Sequence, residues 1–269
     1  MQILFLIHPK TLIGAAPCSL LPASRTLYPV LPARRLRTLY NRLVQLYGPQ
    51  QWWPAKTPFE VVIGAYLTQN TAWKSVERSI ANLEARGILS IAGLRSISEA
   101  ELRTLIRPSG FMIRKAAALK AFVAFLDTHY KGQMETLRRA ALDDPQSIRK
   151  QLLHLPGIGP ETADAILLYA LDAPAMVVDE YLRRITTRHG LVPENAKYPA
   201  IQALAEQAFA REQASEDPQD LARHYNEFHA LMVHTGKTHC GRVAHCDRCP
   251  LAFDLPKVPP PRPSHKLKR

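Results

Sequence analysis

LPGIGPETADAILLYAL, residues 155–171, is the stretch on which the fold turns. Gly157 and Gly159 allow positive backbone dihedrals and leave backbone amides uncovered. Gly159 at or near the cap, Pro160 at the first helical position and Glu161 in the first turn make a favourable helix start. At such a start the unpaired N–H groups and the helix dipole attract phosphate. A helix, a Gly-x-Gly hairpin and a second helix thus form a sequence-independent clamp for a nucleic-acid backbone. A bare Gly-x-Gly is more often an ordinary helix–helix turn; the full string argues against that.

Helical periodicity extends on both sides. Leu36, Leu39, Tyr40, Leu43 and Leu46 share one face. A loop, GPQQWWPAKTP, follows, then an apolar helix over 59–69 and another helix over 70–87. Ser98 with Glu101 three residues later is a capping box. Residues 114–130 are amphipathic, and 144–155 lead into the hairpin. Downstream the pattern predicts helices near 179–189, 200–212 and 221–234. No strand alternation persists, so the expected fold class is all-α.

The chain has 269 residues and a net charge of +12, unevenly placed. Residues 1–59 hold seven Lys or Arg and no acid, and residues 257–269 hold five and no acid. These account for the whole excess, so the segment 60–256 is formally neutral. Basic extensions of this kind touch phosphate or merely keep a protein soluble; the case for a DNA-binding body rests on motifs. Four cysteines are too few for a secreted disulfide scaffold. MQILFLIHPK is a poor signal peptide, and no apolar run reaches the length of a membrane span. The expectation is a cytoplasmic, nucleoid-associated monomer without membrane contact.

LTQNT at 67–71, RPSGF at 107–111 followed by Lys115-Ala116, the hairpin, and VVDEYLRR at 177–184 occur in an order and spacing that resemble the endonuclease III superfamily. These are the helix–hairpin–helix DNA glycosylases. The resemblance runs from Leu36 to Cys249. It implies a six-helix domain over 60–173 and a second helical domain from 36–59 and 174–256, with double-stranded DNA bound across the cleft between them. Residues 1–35 are then a basic Pro/Leu-rich leader, and 257–269 a disordered basic tail.

The resemblance also assigns roles. Asp179, at the start of the next helix, becomes the catalytic carboxylate that stabilises oxocarbenium character on the sugar and orients water. The plainer reading of Asp179 is a helix cap. Leu155, Gly157, Ile158 and Gly159 become the DNA-backbone contacts. Bifunctional members carry a nucleophilic lysine where this chain has Glu161, which cannot form a Schiff base. Lys115 and Lys237 are the other amines that could substitute for it.

Trp52, Trp53 and Trp73 are pocket candidates for a flipped base, since an electron-poor alkylated purine stacks well on indole. WWP, the aromatic after LTQNT and the Glu-x-Ala-Asp-Ala-Ile-Leu run resemble the monofunctional 3-methyladenine glycosylase branch. There Gln69 fills the hole left by the flipped base and Phe111 wedges the stack, unless Phe111 is plain core.

Family members often hold a 4Fe-4S cluster on four cysteines. Cys240, Cys246 and Cys249 match three; Leu255 stands where the fourth would fall. Cys18, His239 or His245 could complete the site, or the site is a remnant. Three functions remain open: a monofunctional glycosylase for alkylated purines, a glycosylase/lyase for oxidised pyrimidines, and a non-catalytic lesion-binding module.

Overall fold

In the chain direction, the computed structural model places α1 (Val30–Tyr47), α2 (Pro58–Leu67), α3 (Trp73–Ala85), α4 (Ile91–Ser96), α5 (Glu99–Leu105), α6 (Met112–His129), α7 (Met134–Asp143), α8 (Pro145–Leu153), α9 (Pro160–Ala165), α10 (Glu180–Arg188), α11 (Tyr198–Ala208) and α12 (Pro218–Thr238). The structure describes residues 30–50, 52, 53, 55–214 and 217–255. Most of the expected leader, Cys18 and the basic tail lie outside the described residues. The class is all-α: among the described residues the only β feature is an isolated bridge between Cys240 and Ala244.

Local chemistry sets the helix starts. Thr57, Ser90, Ser98, Asp144, Asp179 and Asp217 each cap a helix through a side-chain oxygen. Helix α1 begins at Val30, inside the stretch expected as leader. The reason is tertiary: Ala33 is buried, and Arg35 donates to both carboxylate oxygens of Asp254 at 2.9 and 2.8 Å. The short helices α4 and α7 are additions that the sequence pattern did not predict.

Two apolar cores form. One is built from α2–α9, with Val62, Ile63, Leu119, Phe122 and Leu167 at its centre. The other joins α1 to α10–α12 through Leu36, Leu39, Leu43, Leu182, Phe209 and Phe228. Helix α9 and the π turn that continues it (Ile166–Ala170) bridge them: Ala163 and Ile166 enter the first core, Ala165 and Leu168 the second. Polar contacts lock the bridge. Asp164 is fully buried and accepts from Arg149 on α8 at 2.5 and 3.0 Å, from Tyr198 Oη at 2.7 Å and from Gln202 Nε2 at 3.0 Å, both on α11. One carboxylate therefore ties both helices of the hairpin motif to the second core.

Candidate active site

The hairpin is built from outside in. Ile158 is buried in the first core and Leu155 packs against it half-buried, so at Ile158 the backbone is what a ligand can reach. Gly157 adopts φ +77°, the left-handed region where a side chain is costly, and a Cβ there would approach Ala118 Cβ to 3.2 Å. Gly159 does not use its freedom as expected: its φ of −99° is ordinary extended backbone. Its bareness matters because a Cβ would project into open space, where a phosphate can approach. Among the described residues neither glycine amide donates a hydrogen bond, and Gly159 caps α9 with Pro160 and Glu161 in its first turn.

Gln69, in the loop after α2, reaches the hairpin directly. Its Nε2 donates to Gly157 O at 2.8 Å and to Thr162 Oγ1 at 3.1 Å. Phe111 is 59% exposed and sits in the left-handed conformation (φ +48°) ahead of α6, so it is no core residue. Lys115 holds both loops. This buried ammonium donates to Leu67 O at 2.8 Å, Gln69 O at 3.1 Å, Thr71 Oγ1 at 2.8 Å and Ser109 O at 2.9 Å. Burial lowers its pKa to about 8. Fully engaged in this way, Lys115 cannot serve as the free amine for which it was a candidate.

The three tryptophans come together in a row. Trp73 meets Trp53 edge-on with ring centroids 5.7 Å apart, and Trp53 meets Trp52 at 5.3 Å. Trp53 and Trp73 also pack on the first core, so they are wall as well as candidate platform. Trp52 extends the row toward the second core, where it touches Tyr169 at 5.8 Å and His229 at 5.6 Å. The exposed Lys237 places its ammonium 5.9 Å from the Trp52 ring.

Asp179 does two things at once. Oδ1 accepts from Leu182 N at 2.7 Å and so caps α10. Oδ2 faces His229 Nε2 at 3.6 Å. Glu161 keeps solvent contact, yet the surrounding protein desolvates its carboxyl and pushes its pKa up to about 7. The nearby Asp179 charge contributes to this rise, while His229 and Arg183 oppose it. The carboxyls of Glu161 and Asp179 therefore lie close enough to act on each other electrostatically.

Tyr169 and His229 were not predicted from sequence. Tyr169 looks like core in LLYAL, and His229 is a lone histidine on an apolar helix face. No spacing signal marks either.

The cysteine cluster does not fit a four-thiolate site among the described residues. Cys240, Cys246 and Cys249 line one cavity, but Leu255 also lines it, and no three His, Cys, Asp or Glu groups converge as metal ligands. Cys240 Sγ instead accepts from Arg188 Nη1 at 3.1 Å. His239 lines the same cavity, whereas His245 does not. No helix among the described residues is long and apolar enough to cross a membrane.

Known proteins share the all-α fold and much of the sequence. Residues 63–211 match the model of the HhH-GPD superfamily of base excision DNA repair proteins. A protein of Methanocaldococcus jannaschii named as a DNA repair glycosylase is 43% identical over 213 residues, spanning 79% of this chain and 92% of that one. The crystal structure of the Helicobacter pylori 3-methyladenine DNA glycosylase bound to 1,N6-ethenoadenine superposes with TM-score 0.63 at 29% identity, covering 78% of this chain and 97% of the other. A trapped endonuclease III–DNA covalent intermediate superposes with TM-score 0.68 over 83% of this chain and 95% of that one; at 20% identity it speaks for the fold alone.

Proposed function

From the premise that this chain belongs to the HhH-GPD superfamily of base excision DNA repair proteins, and is a DNA glycosylase, we propose that it is monofunctional and removes alkylated purines from duplex DNA. The observation that carries this reading is Glu161 in the cleft beside Asp179, where a lyase needs a free amine. The damaged nucleotide leaves the stack and enters the space beside Trp52, Trp53 and Trp73. Their indole faces attract the positive charge of an N-alkylated purine. That charge has already weakened the glycosidic bond, so modest help suffices. The name of the Helicobacter relative supports the same lesion class.

The chemistry is a displacement at the sugar. The C1′–N bond breaks, its electron pair leaves with the purine and neutralises it, and the sugar gains oxocarbenium character. The Asp179 carboxylate stabilises that charge and takes a proton from the water whose oxygen bonds to C1′. The products are a free base and an abasic site. DNA lies along the cleft between the two cores, taken as domains 60–173 and 36–59 with 174–256. The amides of Gly157 and Gly159 hold one phosphate; Gln69 and Phe111 enter the duplex. A cluster, where a relative carries one, would rest on four cysteines; no step here passes through it.

The test measures base release from duplexes carrying methylated purines, thymine glycol or uracil, with and without alkali, and adds borohydride to trap Schiff bases. Methylpurine release with strand cleavage only after alkali, and no trapped complex, is the expected result. Cleavage without alkali, or a trapped adduct, overturns the monofunctional reading; binding without release overturns the catalytic one.

A further inference from the structure

Behind Asp179 lies a buried polar chain that the reaction above does not use. Tyr169 Oη and His229 Nδ1 are 2.6 Å apart. The opposite ring nitrogen, Nε2, is buried without a hydrogen-bond partner and is aimed at Asp179 Oδ2, 3.6 Å away. A stranded buried N–H is costly and calls for an explanation. We propose that Tyr169 and His229 are positioning residues for Asp179: the tyrosine hydroxyl fixes the imidazole as its Nε2–H form, which then grips Oδ2 when substrate fills the cleft. This rests on the reading of Asp179 as the reacting carboxylate.

Three features of the fold build this chain. The stretch Ile166–Ala170 is a π turn, a feature frequent at functional sites, and the extra residue per turn re-aims Tyr169. Tyr169 is thereby directed at α12, with Trp52 and Trp53 packed on its ring. Helix α12 comes close to α10 because Gly236 has no side chain; a Cβ there would meet the Tyr181 ring at 2.4 Å. His229, two turns earlier on α12, consequently faces the cap of α10, where Asp179 sits.

The tautomer follows from what each atom can do. Burial, with Asp179 nearby, keeps the Tyr169 phenol protonated. His229 Nδ1 is the one partner at hydrogen-bond distance among the described residues, and in the proposed arrangement the phenol donates to it. The ring proton is then on Nε2, which points an N–H rather than a lone pair at a carboxylate. Oδ1 is already committed to Leu182 N. A donor on Oδ2 fixes the remaining rotation of the carboxylate and leaves its free lone pairs toward the cleft. At 3.6 Å the contact is too long for a hydrogen bond; catalytic contacts of this kind commonly tighten only with substrate bound.

Tyr169→Phe is the sharp test, because it keeps the ring and removes one hydroxyl. Single-turnover purine release is measured from duplex DNA methylated with dimethyl sulfate, alongside Kd for a duplex bearing a tetrahydrofuran abasic analogue. Tyr169→Phe and His229→Leu slow release on the order of tenfold, as expected for losing one hydrogen bond to a charged group, while Kd stays within about twofold. His229→Gln, whose amide N–H reaches the Nε2 position, recovers most of the rate. Long-range 15N NMR shows His229 protonated at Nε2 in the wild type and shifted toward the Nδ1–H form in Tyr169→Phe. An unchanged rate or an unchanged 15N pattern in Tyr169→Phe overturns the proposal. So does a loss confined to Kd, or a His229→Gln variant as slow as His229→Leu. Should the wild type release no methylpurine, the lesion reading fails instead, and the 15N pattern alone decides this one.

Discussion

Arg149 holds both carboxylate oxygens of Asp164, at 2.5 and 3.0 Å, from the other helix of the same hairpin. Tyr198 and Gln202 reach the same carboxylate from the second core, and Tyr198 Oη also accepts from Val178 N, the residue before Asp179. The hairpin and the backbone that carries Asp179 are thus fastened to one buried carboxylate.

Asp164→Ala strands the Arg149 guanidinium and the Tyr198 hydroxyl. Breaking one partner of a buried pair costs about 3–5 kcal/mol. Chemical denaturation is expected to show a loss of that size. Arg149→Met combined with Asp164→Leu, which removes both charges at similar volume, is expected to recover much of it.

Asp179→Asn separates capping from chemistry. Asparagine caps a helix about as well as aspartate, so the thermal midpoint is expected within a few degrees of wild type. Base release is expected to be lost, while affinity for an abasic-analogue duplex is retained. Retained release in a single-turnover assay would remove Asp179 from the reaction.

Glu161 makes stability depend on pH in a particular direction. Its pKa is raised from the ordinary 4.5 to about 7, so the folded state holds this proton more firmly than the unfolded chain does. Its contribution is fully present below about pH 4.5 and is lost as pH rises through about 7. Thermal midpoints across that window are expected to fall for the wild type relative to Glu161→Gln, which has no such step. Parallel curves would show that Glu161 titrates normally.

Lys115→Met fills the space of the buried stem but strands Leu67 O, Gln69 O and Ser109 O. A loss of about 1–3 kcal/mol is expected from unsatisfied acceptors. Hydrogen exchange should quicken in the loops at 67–71 and 107–111, and DNA binding should weaken because Gln69 and Phe111 lose their shared anchor. Unchanged exchange in both loops would refute that coupling.

Local patterns in the sequence determined a good deal. Ser98 and Asp179 cap where their spacing says they should, because an N-cap is decided within four residues. Gly157 turns where the hairpin needs a positive φ. The identity of residue 161 requires no fold at all to say that an amine is missing there. Tertiary structure alone decided the rest. Gln69 meets Gly157 across 88 residues, and Tyr169 meets His229 across 60. No periodicity encodes such pairings, because each helix carries only its half of the contact. Nor does a sequence state that the carboxyl of the exposed Glu161 is partly desolvated, that Lys115 is fully engaged, or that Leu255 shares a cavity with three thiols. Desolvation and hydrogen-bond saturation belong to the neighbours that surround a group, and only the packed cores supply those neighbours.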